Sequence, residues 1–188
     1  MQLKKEESVL LIIDIQVKLA AVMPEKIMKK SIKNCQILLE AARRMGIPVV
    51  VSEQYPKGLG ETIPELSESL SQIDDLSRVE KLDFSVCAAE GFSEIAGRHK
   101  EAGRSSWIVA GMETHICVYQ SARALIEAGN QVHLPVDALI SRRTHNYQVG
   151  LGLSEKCGAL LSSTETIVMD LLSRAQGDDF KAISKLIR

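Results

Sequence analysis

The sequence predicts a doubly wound α/β domain, a three-layer α/β/α sandwich around a central, mainly parallel sheet. Continuous apolar runs without period-two alternation, such as Val9 to Ile13, are typical of parallel strands that helices cover on both faces. These runs alternate along the chain with stretches of ten or more residues whose apolar positions recur at helical spacing. We expect residues 1–188 to form one such domain, because this length gives a substantial core.

The first half of the chain predicts three strands, two helices and one long surface excursion. The helix over Pro24–Met45 carries apolar residues every three or four positions, and Gly46 followed by Pro48 ends it. The stretch from Glu53 to Leu76 is rich in glycine and proline, which predicts a long surface loop, or excursion, with at most short helices. Such loops often carry binding or catalytic residues. The other elements predicted here are strands over Val9–Ile13, Pro48–Ser52 and Ser77–Lys81 and a helix from about Gly91 to Gly103.

The second half of the chain repeats the order of strand and helix. It predicts strands over Trp107–Gly111, Gln131–Val136 and Ala159–Ser162, and helices over Thr114–Ala128, Thr144–Lys156 and from Thr164 onward. Gly150, Gly152 and Gly158 lack the preceding strand and the spacing of a phosphate-binding loop, so we expect no nucleotide site there.

Charge and cysteine content indicate a protein that acts on small molecules in the cytoplasm. The net charge of −1, from 23 basic and 24 acidic residues, gives no field that would attract nucleic acid or an anionic membrane. The four cysteines are widely separated and lack CxxC spacing, which favours a reducing compartment. The charged first residues indicate neither a secretory signal nor a transit peptide, and the apolar run before Asp14 is too short to span a bilayer.

Three segments with reactive side chains fall at the predicted carboxyl ends of strands. They are Asp14, Lys81 and the turn from Gly111 to Cys117. In doubly wound sheets, ligands bind outside the carboxyl ends of strands at a topological switch point, so these segments are expected to meet at one cleft. We expect Cys117 to lie at the start of a helix, where backbone N–H groups and the helix dipole favour the thiolate.

These three side chains suit acyl transfer through a thioester. In the reaction we envisage, Asp14 takes the proton from Cys117, the thiolate attacks a carbonyl carbon, and Asp14 returns the proton to the departing amine before water cleaves the thioester. Lys81 holds both anions in place, and backbone N–H groups receive the oxyanion. Each residue also has a structural alternative: a buried small hydrophobe for Cys117, a turn residue for Asp14 and a solvated surface charge for Lys81.

The same segments resemble a known family, the isochorismatase-like cysteine hydrolases. Val9–Gln16 resembles the opening strand of that family with its D-x-Q ending, Glu80–Ser85 resembles its lysine segment, and Gly111–Val118 resembles its nucleophile turn. The order and spacing agree along essentially the whole chain. The resemblance extends in particular to the isochorismatase domain-containing proteins, on the segments Ser52–Gly60, Gln131–His133, Asp137–Ala138 and Ser141–Arg142.

The resemblance implies an Asp14–Lys81–Cys117 triad and a non-proline cis peptide bond between Met112 and Glu113. In the family this bond turns the following N–H toward the oxyanion, which would make the backbone amides of Glu113 and Cys117 the oxyanion hole here. The chain also departs from the family's common pattern. Glu113 replaces an alanine common in nicotinamidases, His115 replaces a common acidic residue, and Leu19 stands where a phenylalanine often follows D-x-Q. These departures bear on the substrate more than on the triad.

The histidines give no sign of a metal site. The nicotinamidase branch binds a metal through an Asp-x-His pair after the second strand, whereas the comparable stretch here, Ser52–Pro56, has no histidine. The four histidines are spread singly, so we expect neither a metal nor another cofactor. Candidate substrate contacts are Gln16, Tyr55 and His115. Turn hydrogen bonding or surface exposure explains Gln16 and Tyr55 equally well, and for His115 the sequence favours a partly exposed turn histidine over a pocket residue.

Three functions fit these observations. The leading hypothesis is a metal-free cysteine hydrolase that cleaves a carbon–nitrogen bond of a small amide or ureido compound. The second is isochorismate-type vinyl-ether hydrolysis, which in the family's namesake does not need the cysteine. The third is a non-catalytic oligomeric scaffold that retains the fold. We expect a homo-oligomer because family members usually associate. Apolar residues of the helix predicted over Thr144–Lys156 are subunit-contact or core candidates: Tyr147, Val149, Leu151 and Leu153.

Overall fold

In a computed structural model of the protein, parallel strands form one central sheet of seven between two layers of helices. The structure describes residues 3–187, so Met1, Gln2 and Arg188 of the predicted 1–188 domain lie outside the described residues. The strands are β1 (Ser8–Ile13), β2 (Val49–Gln54), β3 (Leu76–Lys81), β4 (Ser106–Met112), β5 (Gln131–Pro135), β6 (Leu139–Ile140) and β7 (Leu160–Ser162). Their order is β3-β2-β1-β4-β5-β7, and β6 pairs with the end of β4. The predicted α/β sandwich is confirmed.

The helices cover both faces of this sheet. They are α1 (Val17–Ala20), α2 (Glu25–Met45), α3 (Pro56–Leu59), α4 (Pro64–Leu70), α5 (Phe92–Glu101), α6 (Tyr119–Glu127), α7 (Thr144–Lys156), α8 (Thr164–Leu172) and α9 (Asp178–Ile187). A π-helical turn over Thr114–Val118 leads into α6, and short 3₁₀ turns lie at Lys5–Glu7, Val86–Ala88 and Val136–Ala138. Within residues 3–187, no helix combines the length and the apolar character that crossing a bilayer requires.

Strand β1 is the centre of the hydrophobic core because all of its residues are buried. Side chains alternate across a strand, so Leu10 and Ile12 pack into the core on one face of the sheet. Val9, Leu11 and Ile13 pack into the core on the opposite face. A strand without a solvent face needs the continuous apolar run from which it was predicted.

The topological switch point lies between β1 and β4. From β1 the chain proceeds outward to β2 and β3, and then returns to the other side of β1 to form β4. Ile13 at the end of β1 is in register with Ser52 of β2 and with Gly111 of β4. Gln54 of β2 is in register with Lys81 of β3. The carboxyl ends of four strands therefore lie side by side at one edge of the sheet.

The structure refines several predicted boundaries. Strand β2 extends past the predicted end at Ser52 to Gln54. The helix predicted from Thr114 begins as a π-helical turn, and α6 itself starts only at Tyr119. The last predicted helix is divided at Ser173, whose φ of +57° ends α8 before α9. Helix α1 and strand β6 were not predicted, because elements of four and two residues show no periodicity.

Helix α7 packs directly on the π-helical turn, and Gly150 makes this approach possible. A Cβ atom built on Gly150 would lie 2.6 Å from the backbone nitrogen of His115. Two residues farther along the same helix, a Cβ on Gly152 would meet no atom within 4 Å. Gly150, which the sequence analysis excluded from a phosphate-binding loop, is thus required by the close contact between the backbones of α7 and the π-helical turn.

We predict opposite effects of an added methyl group at these two glycines. Gly150→Ala forces α7 away from the turn and should lower the free energy of unfolding by about 1–3 kcal/mol, as overpacking of a tight contact does. Gly152→Ala is the matched control, and it should raise that free energy by up to about 1 kcal/mol through better helix propensity. Urea denaturation of both variants measures the difference. Equal stabilities of the two variants would contradict the close packing of α7.

Candidate active site

Asp14 is the buried acid at the carboxyl end of β1. Its φ is +53°, in the left-handed region, and the residue is fully buried. The Ser52 hydroxyl donates to Oδ1 at 2.7 Å, and the Lys81 ammonium donates to Oδ2 at 2.6 Å. Strands on one side of β1 therefore supply both partners, and each carboxylate oxygen accepts a hydrogen bond.

Lys81 completes this ion pair from the end of β3. The side chains of Lys81 and Asp14 are both 0% exposed, so neither charge is shared with solvent. The Lys81 ammonium also donates to Oε1 of Gln54 at 2.8 Å. Sequence reasoning missed the roles of Ser52 and Gln54. Their position at the end of the strand between the acid and the lysine is the signal that could have identified them.

Cys117 lies in the π-helical turn, buried to 7% exposure and beside the ion pair. Burial, reinforced by the negative charge of Asp14, raises the pKa of the Cys117 thiol to about 12, while the positive charge of Lys81 acts in the opposite direction. The expectation that the start of a helix would favour the thiolate at this residue is wrong. Desolvation and the neighbouring carboxylate have the largest effects, so the Cys117 thiol holds its proton at neutral pH.

The backbone just before this thiol makes a sharp turn. The peptide bond between Met112 and Glu113 is cis, and Gly111 has a φ of +126°. A Cβ on Gly111 would lie 2.1 Å from the carbonyl oxygen of Ile13, so only glycine fits against β1 here. The assignment of the Glu113 and Cys117 amides as an oxyanion hole stays a prediction.

Two side chains at the start of the π-helical turn, Glu113 and His115, bind residues 141–146. We call this segment the arginine loop, and it includes the first three residues of α7. The buried Glu113 carboxylate accepts from the backbone N–H of Arg142 at 2.9 Å and from its guanidinium Nη2 at 3.0 Å. His115 contacts Ser141 Oγ through Nδ1 at 3.1 Å and Asn146 Nδ2 through Nε2 at 3.2 Å. Because an amide nitrogen can only donate, Nε2 accepts, and Nδ1 carries the ring hydrogen that is donated to Ser141.

The structure corrects the substrate contact predicted for Gln16. This side chain is fully buried, and its Nε2 donates to the carbonyls of Gln54 at 3.0 Å and Gly60 at 2.6 Å. Its Oε1 accepts from the backbone N–H of Gln54 at 2.7 Å. Both amide hydrogens are used, so Gln16 fastens the excursion after β2 to the end of β1 and does not face a ligand.

The other two predicted substrate contacts, Tyr55 and His115, differ in whether their polar side-chain atoms already have hydrogen-bond partners. Tyr55 is half exposed and lines a cleft of about 520 Å³ beside the end of β3. Its backbone N–H donates to the carbonyl of Lys81 at 2.9 Å, which fixes it next to the ion pair. His115 is half-buried and uses both ring nitrogens on the arginine loop. Within residues 3–187 the Tyr55 hydroxyl makes no hydrogen bond, whereas both ring nitrogens of His115 already have partners. A substrate contact by Tyr55 stays a prediction.

No three side chains of the metal-binding types are grouped together within residues 3–187 in a way that could hold a metal ion. The expectation that the reaction needs no metal stays a prediction.

Comparison with known proteins places these features in a family. Residues 8–166 match the family described as the Isochorismatase domain. The chain is similar to the Secreted isochorismatase effector Isc1 of Phytophthora sojae, with 32% identity over 157 residues that cover 84% of this chain and 74% of that protein. It is 33% identical over 150 residues to Isochorismatase domain-containing protein 2 of Xenopus laevis, which covers 80% of this chain and 69% of the relative.

A solved structure shares the entire fold. The structure described as MAR1 ribonuclease from Caenorhabditis elegans aligns with a TM-score of 0.89 at 33% identity, over 100% of this chain and 92% of that one. The resemblance predicted from the strand ending in Asp14, the lysine segment and the nucleophile turn is confirmed.

We predict that Asp14→Asn lowers the pKa of Cys117, although it removes the proton acceptor. The neutral amide no longer opposes the thiolate, while Lys81 still favours it. In the unchanged protein, alkylation of Cys117 by iodoacetamide should rise about tenfold per pH unit from pH 7 to pH 10 without a plateau. In the variant, alkylation at pH 8 should be faster. Peptide mass spectrometry of the labelled thiols measures both rates.

Cys87 provides an internal control for this measurement. Burial raises its pKa to about 11, and Asp14 is not among the groups that shift it. Its labelling should therefore be the same in both proteins. Slower or unchanged labelling of Cys117 in the variant, with Cys87 unaltered, would contradict the placement of the carboxylate beside the thiol.

Proposed function

The chain belongs to the isochorismatase family, and on that premise we propose that it is a metal-independent cysteine hydrolase. The proposed reaction cleaves a carbon–nitrogen bond of a small amide or ureido compound through a thioester at Cys117. Family membership supports a hydrolase. The observation that carries the finer proposal is the buried Asp14–Lys81 ion pair, which lies beside a thiol that holds its proton at neutral pH.

The first half of the proposed reaction transfers the acyl group to sulfur. Asp14 accepts the thiol proton as the sulfur attacks the carbonyl carbon, and the carbonyl electron pair moves onto oxygen. The backbone amides of Glu113 and Cys117 stabilise this oxyanion. When the oxyanion collapses, the carbon–nitrogen bond breaks, and the proton on Asp14 passes to the departing amine. The products of this half are ammonia or an amine and the Cys117 thioester.

The second half returns the enzyme to its resting state. Asp14 takes a proton from water, and the resulting hydroxide attacks the thioester carbonyl. Collapse expels the Cys117 sulfur, which regains the proton from Asp14 as the carboxylic acid leaves. The same carboxyl group thus serves as base and then as acid in each half of the reaction.

Lys81 holds the Asp14 carboxyl group in place throughout these steps. Its ammonium is bonded to Asp14 Oδ2 and to Gln54 Oε1, which leaves its third hydrogen for the thiol side of the site. A positive charge there also stabilises the thiolate as the proton leaves it, in agreement with the direction of its effect on the pKa of Cys117. Ser52 holds the other carboxylate oxygen, so the acid cannot rotate freely.

Two relatives suggest other reactions. The Isc1 relative is described as an isochorismatase, which favours vinyl-ether hydrolysis as the second candidate. The solved relative is described as a ribonuclease, which makes RNA a necessary control substrate. A non-catalytic scaffold is the third hypothesis, and it predicts no turnover of any of these compounds.

We also propose that the protein forms a homo-oligomer. Val149 is 42% exposed and Leu153 is 38% exposed on the outer face of α7, whereas Tyr147 and Leu151 pack against the core. Leu82 and Phe84, just after β3, are also exposed. A second copy that covers these side chains would remove apolar surface from water. The cytoplasmic location stays a prediction.

The test is turnover by Cys117→Ala. The variant lacks the nucleophile, so ammonia release from a panel of small amides and ureido compounds should fall at least a thousandfold, to the level of the uncatalysed reaction. The thioester adduct detected by intact mass in acid-quenched samples should also disappear. Cys157→Ala is the matched control, since this cysteine is partly exposed on a different segment and should leave both signals in place.

The same assays separate the alternatives. Pyruvate release from isochorismate that survives Cys117→Ala would replace the proposed function with vinyl-ether hydrolysis. Cleavage of RNA in place of amides would replace it with the activity for which the solved relative is named. Absence of turnover with every compound, together with an intact fold, would leave the scaffold hypothesis.

A further inference from the structure

A second cleft lies beside the nucleophile turn. It has a volume of about 510 Å³ and is lined by Val22, Arg142, Arg143 and Asn146. Two of its lining residues are bonded to the turn, since Arg142 binds Glu113 and Asn146 binds His115. Glu113 and His115 precede Cys117 by four and two residues. The wall of the cleft is thus attached to the segment that carries the nucleophile.

This cleft has an excess of positive charge. The charge of Arg142 is matched by Glu113, whose side chain is only 7% exposed. No carboxylate within residues 3–187 lies within ion-pair distance of the exposed Arg143 guanidinium, and no acidic side chain lines the cleft. The surplus is local, because the chain as a whole has a net charge of −1.

The arginine loop is held firmly enough to serve in recognition. Glu113 fastens both the backbone and the guanidinium of Arg142, and His115 fastens both ends of the loop at Ser141 and Asn146. The fixed Arg142 side chain and the loop backbone lose little conformational freedom when a ligand binds, and only the exposed Arg143 side chain has to be ordered.

We propose that the substrate carries a carboxylate or similar anionic group, which the cleft binds through Arg143 and the exposed edge of Arg142. A guanidinium offers two parallel N–H donors that match the two oxygens of a carboxylate. Val22 packs against the carbon chain between the anionic group and the scissile amide. Arg143 is thus a specificity-determining residue. The identity of the reaction rests on the proposed function, whereas the binding of anions in this cleft does not.

The first experiment needs no turnover. Iodoacetate and iodoacetamide both alkylate thiols and have similar size, but only iodoacetate is an anion. We expect Arg143→Gln to lower the iodoacetate-to-iodoacetamide rate ratio at Cys117 by roughly threefold to tenfold, as one partly screened charge allows. Arg174→Gln, which removes an exposed arginine that follows α8, should leave the ratio unchanged. An equal ratio in all three proteins, or failure of both reagents to reach Cys117, would overturn the proposal.

The second experiment measures specificity in turnover. Succinamate and butyramide have the same chain length and the same amide, and they differ in the terminal carboxylate. The kcat/KM ratio of succinamate to butyramide should exceed one in the unchanged protein and in Arg174→Gln, and should fall several-fold in Arg143→Gln. Hydrolysis of both amides with a ratio that Arg143→Gln does not alter would overturn the anionic substrate and leave the hydrolase standing. Hydrolysis of neither amide, with the alkylation ratio altered as expected, would count against the hydrolase and support the anion site.

Discussion

The buried ion pair between Asp14 and Lys81 is the interaction on which the rest of the site depends. Removing two charges from water costs several kcal/mol for each ion, and their mutual attraction offsets this cost only when the remaining polar atoms are also satisfied. Ser52 and Gln54 provide those contacts from β2, the strand that lies between them. The register of β1, β2 and β3 is thus coupled to the chemistry, because a slip of one residue would turn a partner to the opposite face.

Much of the fold and part of the site could be predicted from the sequence. Apolar runs and helical spacing are local patterns, and they identified the buried β1 strand and the whole of α7. The carboxyl ends of strands then indicated where Asp14, Lys81 and Cys117 lie. The contacts between Glu113 and Arg142, and between Gln16 and Gln54, could not be predicted, because they join segments far apart in sequence and leave no periodic trace.

The pKa of Cys117 shows a different limit of prediction. Its position near the start of a helix suggested a thiolate, yet the value depends on how deeply the thiol is buried and on which charge lies nearer. Both are properties of the assembled structure. The close packing of Gly150 against the π-helical turn is also a property of the assembled structure, because it joins segments far apart in sequence.

A thiol that holds its proton at rest also changes how this protein responds to oxidants. Peroxide converts cysteine to sulfenic acid through the thiolate, so the most easily oxidised cysteines are exposed and have low pKa values. Cys117 has neither property, since it is buried and burial raises its pKa. Its sulfur would therefore survive oxidative conditions that inactivate enzymes with a preformed thiolate. In the proposed reaction, the proton that delays attack by Cys117 until a substrate is bound thus also protects its sulfur.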